Sequence, residues 1–145
     1  MQFQLNDGGR AKAGFKGSAG DCVVRAVAIA SGRSYREIYD ALSEGTRTQR
    51  QTAKSKKRSS ARDGVNTKRK WFKDYMASLG FKWYPTMQIR FGCRVHLHAD
   101  ELPMGRLVVA VSKHYVAVID GVINDTHNPS RDGTRCVYGY YKLEN

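Results

Sequence analysis

Leu107-Val108-Val109-Ala110-Val111-Ser112-Lys113-His114-Tyr115-Val116-Ala117-Val118-Ile119-Asp120-Gly121-Val122-Ile123-Asn124-Asp125-Thr126 reads as three successive strands. The opening five residues are a largely apolar run of the kind that suits a central strand. Asp120-Gly121 is the strongest short hairpin signal in the chain, because both residues tolerate the positive φ of a tight turn. With a two-residue turn, Ile119 pairs with Val122, and the register carried outward sets Val116 opposite Asp125 and His114 opposite His127. Side chains alternate along a strand, so His114, Val116, Ile123, Asp125 and His127 share one face while Asn124 points away. Asp125 is then the diagonal neighbour of His114, at roughly 7–8 Å backbone to backbone, a gap that carboxylate and imidazole can close.

Outward from this hairpin, Arg135 to Leu143, Phe81 to Tyr84 and the alternating Arg94-Val95-His96-Leu97-His98 also read as strands, and Gln2 to Leu5 as a short edge strand. The helical periodicity lies mostly before them. Val23, Ala26, Val27 and Ala30 form an apolar stripe from about Cys22 to Ser31, with Asp21 as the expected N-cap and Gly32 as the stop. Ser34 and Glu37 fit a capping box that opens a second helix through about Leu42. Trp71, Phe72, Tyr75, Met76 and Leu79 predict a third helix from near Asn66 or Thr67 to Gly80. Helices first and strands last is an α+β order, and 145 residues suit one domain. Between Glu44 and Asn66 the apolar signal vanishes, which predicts a mobile basic insertion at about 45–66.

Cys22 begins the first helix, where unpaired backbone N–H groups and the helix dipole favour a thiolate. A histidine at a strand edge can take and return a proton. The two together point to a cysteine nucleophile (Cys22) with a histidine base (His114) and a carboxylate (Asp125) that fixes the imidazole tautomer. Such surroundings lower a thiol pKa from about 8.5 into roughly 3.5–7.5. The N–H of Cys22 itself can serve as an oxyanion donor.

The formal net charge is +12, and ten of the 25 basic residues lie between Gly45 and Lys70 against the single acid Asp63. Lys54, Lys56, Lys57 and Arg58 are the densest run there and the natural place for a polyanion such as nucleic acid or an acidic protein. Three cysteines with no CxxC pair argue against a disulfide framework. Cys93 and Cys136 are accordingly expected to be small buried apolar residues in a reducing compartment. The first ten residues lack an apolar secretion core, and no apolar run approaches the roughly 18 residues of a membrane span, so a cytoplasmic location without membrane contact is expected. Cys93, His96, His98 and Asp100 form a rival zinc-ligand cluster, but no second ligand pair stands at finger-like spacing. Neither a metal nor another cofactor is expected.

A cysteine at the start of a long first helix, followed by a histidine and an acid on successive strands, resembles the papain-like cysteine peptidase superfamily, and more closely its small bacterial C39-like members. The stretch from Asp7-Gly8-Gly9-Arg10 to Gly20-Asp21-Cys22-Val23-Val24-Arg25-Ala26, and the ending Val118 to Thr126, are also similar to uncharacterised proteins of bacteria and their phages. The resemblance implies helices packed on a C-terminal antiparallel sheet with a cleft between them, a peptide or protein substrate, and a bacterial cell or phage-infected host. Papain-like enzymes carry an oxyanion glutamine about six residues before the cysteine. Lys16 stands there in this chain, followed by Gly17 and Ser18, so Lys16 and Ser18 are the candidate oxyanion groups. The expected activity is a cysteine hydrolase working on a peptide, isopeptide or related amide bond. The alternative is a non-enzymatic basic protein on the same scaffold, binding nucleic acid or an acidic host or phage protein through residues 45–70.

Overall fold

A computed structural model describes residues 1–16, 20–50, 60–62, 64–87 and 92–144. Its centre is the hairpin of β4 (His114–Ile119) and β5 (Val122–Asp125), paired Ile119↔Val122, Val118↔Ile123 and Ala117↔Asn124. Asp120 and Gly121 have φ of 49° and 81°, the two left-handed conformations that a twist-matched two-residue hairpin turn needs. β3 (Arg106–Val111) pairs antiparallel with β4 and lies inside the sheet, as its apolar run predicts. β6 (Val137–Leu143) follows, then β2 (Phe81–Pro85) at one edge.

The other edge corrects the expectation of a purely antiparallel, C-terminal sheet. β1 (Phe3–Leu5) comes from the N-terminus and lies parallel to β5, so the order is β1-β5-β4-β3-β6-β2. Arg94 to His98 is not a strand either. Only His96 makes a bridge, to Cys136, and His98 starts a single 3-10 turn whose Asp100 N–H donates to His98 Nδ1 at 3.1 Å. This segment drops Leu97 and Leu102 onto the sheet, where they pack with Leu107, Val109, Val116, Val118 and Ile123. Burying such aliphatic side chains stabilises the fold by about 1.5–3 kcal/mol each.

The opposite face, with Val108, Ala117 and Tyr141, carries the helices. α1 (Cys22–Ser31) packs on β3, β4 and β5 and ends at Gly32, whose φ of 75° lets its N–H cap the carbonyls of Ala28 and Ile29. α2 (Tyr35–Thr48) opens with the expected capping box, Ser34 Oγ accepting from the Glu37 N–H at 3.1 Å. It runs six residues past Leu42 because Thr46 is buried, its hydroxyl donating to the Leu42 carbonyl at 2.8 Å. α3 (Lys70–Ser78) begins later than predicted, since Asn66 accepts from the N–H groups of Lys68 and Arg69 and holds a turn. Phe72 and Met76 bury its inner face, as the periodicity requires. The structure is thus mixed, with three helices on one face of a six-stranded sheet among the described residues.

Candidate active site

Three element ends meet at one corner of the sheet. Cys22 is the first residue of α1, His114 the first of β4 and Asp125 the last of β5. His114 Nε2 lies 2.7 Å from Asp125 Oδ2, so the diagonal pair read from the hairpin register is in hydrogen-bond contact. With Nε2 engaged there, Nδ1 is the ring nitrogen left for Cys22, which lines one groove with His114 and Tyr115 and is electrostatically coupled to both.

The charges of this trio reinforce one another. Burial raises the Cys22 pKa, but the His114 hydrogen bond, the Tyr115 N–H and the positive charges of His114 and Arg25 outweigh it, leaving the thiol below its ordinary value. Burial also opposes a charged His114, yet the Asp125 and Cys22 hydrogen bonds and negative charges push its pKa up to about 9. Asp125 is only 3% exposed, and burial alone would raise its pKa. Its bonds to His114 and to the Thr126 N–H, the latter at 2.7 Å, and the charges of His114 and Arg25 hold it down instead. Each member of the trio thus favours the charged form of the others: thiolate, imidazolium and carboxylate.

A second layer of charge stands behind it. Asp21, expected as an N-cap, makes no side-chain cap hydrogen bond. Its carboxylate is 1% exposed and instead takes the Arg25 guanidinium, the Tyr35 hydroxyl and, at 3.0 Å, Arg10 Nε. Asp21 holds the N-cap position as expected, but its side chain is drawn away, because a fully buried carboxylate needs charged partners more than a helix end needs a cap. Arg25 turns its other nitrogen to Asp125 Oδ1 at 3.6 Å and so joins the two carboxylates. Asp21, Arg25, Arg10 and Tyr35 were missed in the sequence. The i,i+4 spacing of Asp21 and Arg25 was the available signal.

Comparison with protein-family models, with curated proteins and with solved structures finds no match.

A groove of about 840 Å3 opens over the sulfur, with Cys22, Arg25, Lys68, His114, Tyr115 and His127 among its walls. Lys16, one of the two candidate oxyanion groups, is exposed and does not line this groove. Phe15 packs on Tyr35 and Tyr39, with ring centroids at 4.9 and 4.6 Å, which leaves the neighbouring Lys16 on the solvent side, its carbonyl accepting from Arg10 at 3.2 Å. Ser18 lies outside the described residues, and so do Lys54, Lys56, Lys57 and Arg58.

Two further expectations change. Cys93 and Cys136 are paired as a disulfide, with Cα atoms 5.8 Å apart, rather than sitting as separate buried residues; Cys93 is exposed. The His96–Cys136 bridge brings the two segments into register. This pairing removes the cysteine-count argument for a reducing compartment. It also takes the Cys93 sulfur from the rival zinc cluster, where His96 Nδ1 pairs with Glu101 at 3.1 Å. Among the described residues the group whose ligand atoms could hold a metal is His114, Asp125 and His127, within 4.8 Å of one another. A metal there would have to replace the His114–Asp125 hydrogen bond. No helix among the described residues is long and apolar enough to cross a membrane.

Proposed function

We propose that this chain is a cysteine hydrolase of papain-like organisation, cleaving an amide bond through a thioester intermediate. The observation that carries the reading is that His114 reaches Asp125 at 2.7 Å through one ring nitrogen while lining the same groove as Cys22, whose thiol pKa its charge lowers. The α1 N-terminus beside the sulfur and the groove above it support the same reading.

The Cys22 thiolate attacks the carbonyl carbon of the substrate, and the carbonyl oxygen becomes an oxyanion next to the Cys22 backbone N–H. His114 gives its proton to the leaving nitrogen as the C–N bond breaks, which leaves an acyl group on sulfur and a neutral imidazole. His114 then takes a proton from an attacking water. The C–S bond breaks, the acid leaves, and the thiolate–imidazolium pair is restored. Asp125 keeps the ring oriented and stabilises its cation throughout.

The test is turnover of a panel of fluorogenic peptide amides, with Cys22→Ala and His114→Ala alongside. Activity lost in both variants, with an acyl adduct on Cys22 caught by intact-mass spectrometry, supports the reading. Activity that survives Cys22→Ala overturns it.

A further inference from the structure

A second cavity adjoins the groove over Cys22. It measures about 560 Å3 and lies between α3, β2, β3 and β6, with Phe81, Trp83, Tyr138 and Tyr141 as aromatic walls. Thr67, Lys68, Ala110, Tyr115 and Tyr138 line both it and the groove over Cys22, so the two spaces are continuous. Phe81 and Tyr141 are buried, whereas Trp83 and Tyr138 keep 40% and 42% of their surface open beside the cavity. The Trp83 ring sits 4.8 Å from that of Tyr141, centroid to centroid. The volume is in the range of small-molecule pockets and holds one large side chain with its neighbours.

The charge around this space has one sign. Lys68, Lys73 and Lys82 line the cavity, and Lys113 lines the groove. No carboxylate among the described residues lines either space. A cleft lined by charge of one sign draws ligands of the other sign and raises their local concentration.

We propose that this cavity is a substrate-binding subsite for a bulky apolar, preferably aromatic, side chain carried on an acidic peptide. The assignment of a peptide rests on the hydrolase reading above; the preference for acid beside an apolar group rests on the cavity alone. Tyr115 connects the two: it follows His114 in β4, lines the groove with Cys22 and lines the cavity with Thr67 at the shared wall. A side chain seated among the aromatic rings therefore belongs to a residue near the bond presented to Cys22. Carboxylates on either side of it meet Lys68, Lys73 and Lys82.

Binding is measured with the Cys22→Ala protein, which cannot turn the peptide over, by fluorescence anisotropy on three labelled peptides of equal length. One carries phenylalanine flanked by aspartate and glutamate, one has lysines in place of the acids, and one has alanine in place of phenylalanine. The acidic phenylalanine peptide is expected to bind about ten-fold more tightly than either of the others at low ionic strength, with the advantage shrinking as salt rises. Adding Lys73→Glu and Lys82→Glu, both at exposed positions, is expected to reverse the charge preference. Trp83→Ala is expected to weaken both phenylalanine peptides alike. Equal affinity for all three peptides overturns the proposal, as does tighter binding of an oligothymidylate than of any peptide. The two readings fail separately. Selective binding with no cleavage of the acidic peptide by the unsubstituted protein removes the hydrolase and keeps the subsite; cleavage without selectivity removes the subsite and keeps the hydrolase.

Discussion

Replacing Asp125 by asparagine tests the charge logic of the site directly. Asparagine keeps an oxygen that can accept from His114 Nε2, so the change is mainly the loss of a negative charge 2.7 Å from the ring. The rise of the His114 pKa from 6.5 to about 9 corresponds to about 3 kcal/mol at about 1.36 kcal/mol per pH unit. Asp125 and Cys22 each supply one hydrogen bond and one negative charge to that rise, against the opposing effect of burial. Removing one of the two charges should cost about 1.5 kcal/mol, roughly a ten-fold change in the ion-pair equilibrium. The sign follows from which state is stabilised. A less favoured imidazolium means a lower His114 pKa and, because its cation fades, a higher Cys22 pKa. The pH window in which sulfur is anionic and the ring protonated therefore narrows from both ends. The assay is the rate of iodoacetamide alkylation of Cys22 between about pH 4 and 10, followed by mass spectrometry. The unsubstituted protein should show a reactive plateau that begins below about 8.5, the value of a free thiol. Asp125→Asn should shift that onset up by about one pH unit and slow the reaction about ten-fold at mildly acidic pH. Identical profiles in the two proteins, or an ordinary thiol titration in both, refute the reasoning.

Asp21→Ser separates a cap from an ion-pair centre: serine caps a helix about as well as aspartate, yet the variant should lose about 3–5 kcal/mol in urea unfolding because Arg25 and Arg10 lose a buried partner. A loss under about 1 kcal/mol would return Asp21 to the role of cap. Gly45→Ala should destabilise by about 1–3 kcal/mol although alanine is the better helix former, because a Cβ at this position enters the Trp71 ring; a gain in melting temperature would contradict the packing of α2 on α3. Alkylation under non-reducing denaturing conditions should label one cysteine per chain and, after reduction, three; three labels without reduction refute the Cys93–Cys136 pairing. Reduction should cost about 4 kcal/mol, set by a loop of 43 residues.

The hairpin was legible because two local signals agreed. A turn dipeptide that accepts positive φ fixed the end of the ladder, and alternation carried the register to Asp125 without any tertiary knowledge. The first helix was legible for the same reason, its stripe ending on a glycine that the C-cap uses. What escaped depends on partners distant in the chain. Phe3 finds Ile123 on the far side of the sequence, and nothing in a three-residue alternation tells parallel from antiparallel. Cys93 and Cys136 meet because His96 bridges to the segment of Cys136, a contact invisible in a cysteine count. Asp21 had two valid local readings, as a cap and as the i,i+4 partner of Arg25. Only burial decides between them, since Arg10, Arg25 and Tyr35 converge on it from three directions.

That convergence bears on how the site keeps its geometry. Cys22 and Arg25 occupy the same turn of α1, one lining the groove with His114 and the other reaching Asp125 Oδ1 at 3.6 Å. Apolar packing of α1 on the sheet tolerates small sliding, because hydrophobic contact is non-directional. Charged hydrogen bonds do not tolerate it in the same way. Arg25, held by Asp21 at the helix N-cap, ties the first turn of α1 to the end of β5. Gly8 adds a backbone stop: with φ of 72° it comes so close to Arg25 that a Cβ would lie 3.2 Å from that residue's carbonyl oxygen. A helix so held can slide only by breaking a buried ion pair or pushing through a backbone contact. The sulfur's place against the imidazole is therefore set by Asp21, Arg25 and Gly8 as much as by the trio itself, and substitutions there should shift the Cys22 alkylation profile without touching a reacting atom.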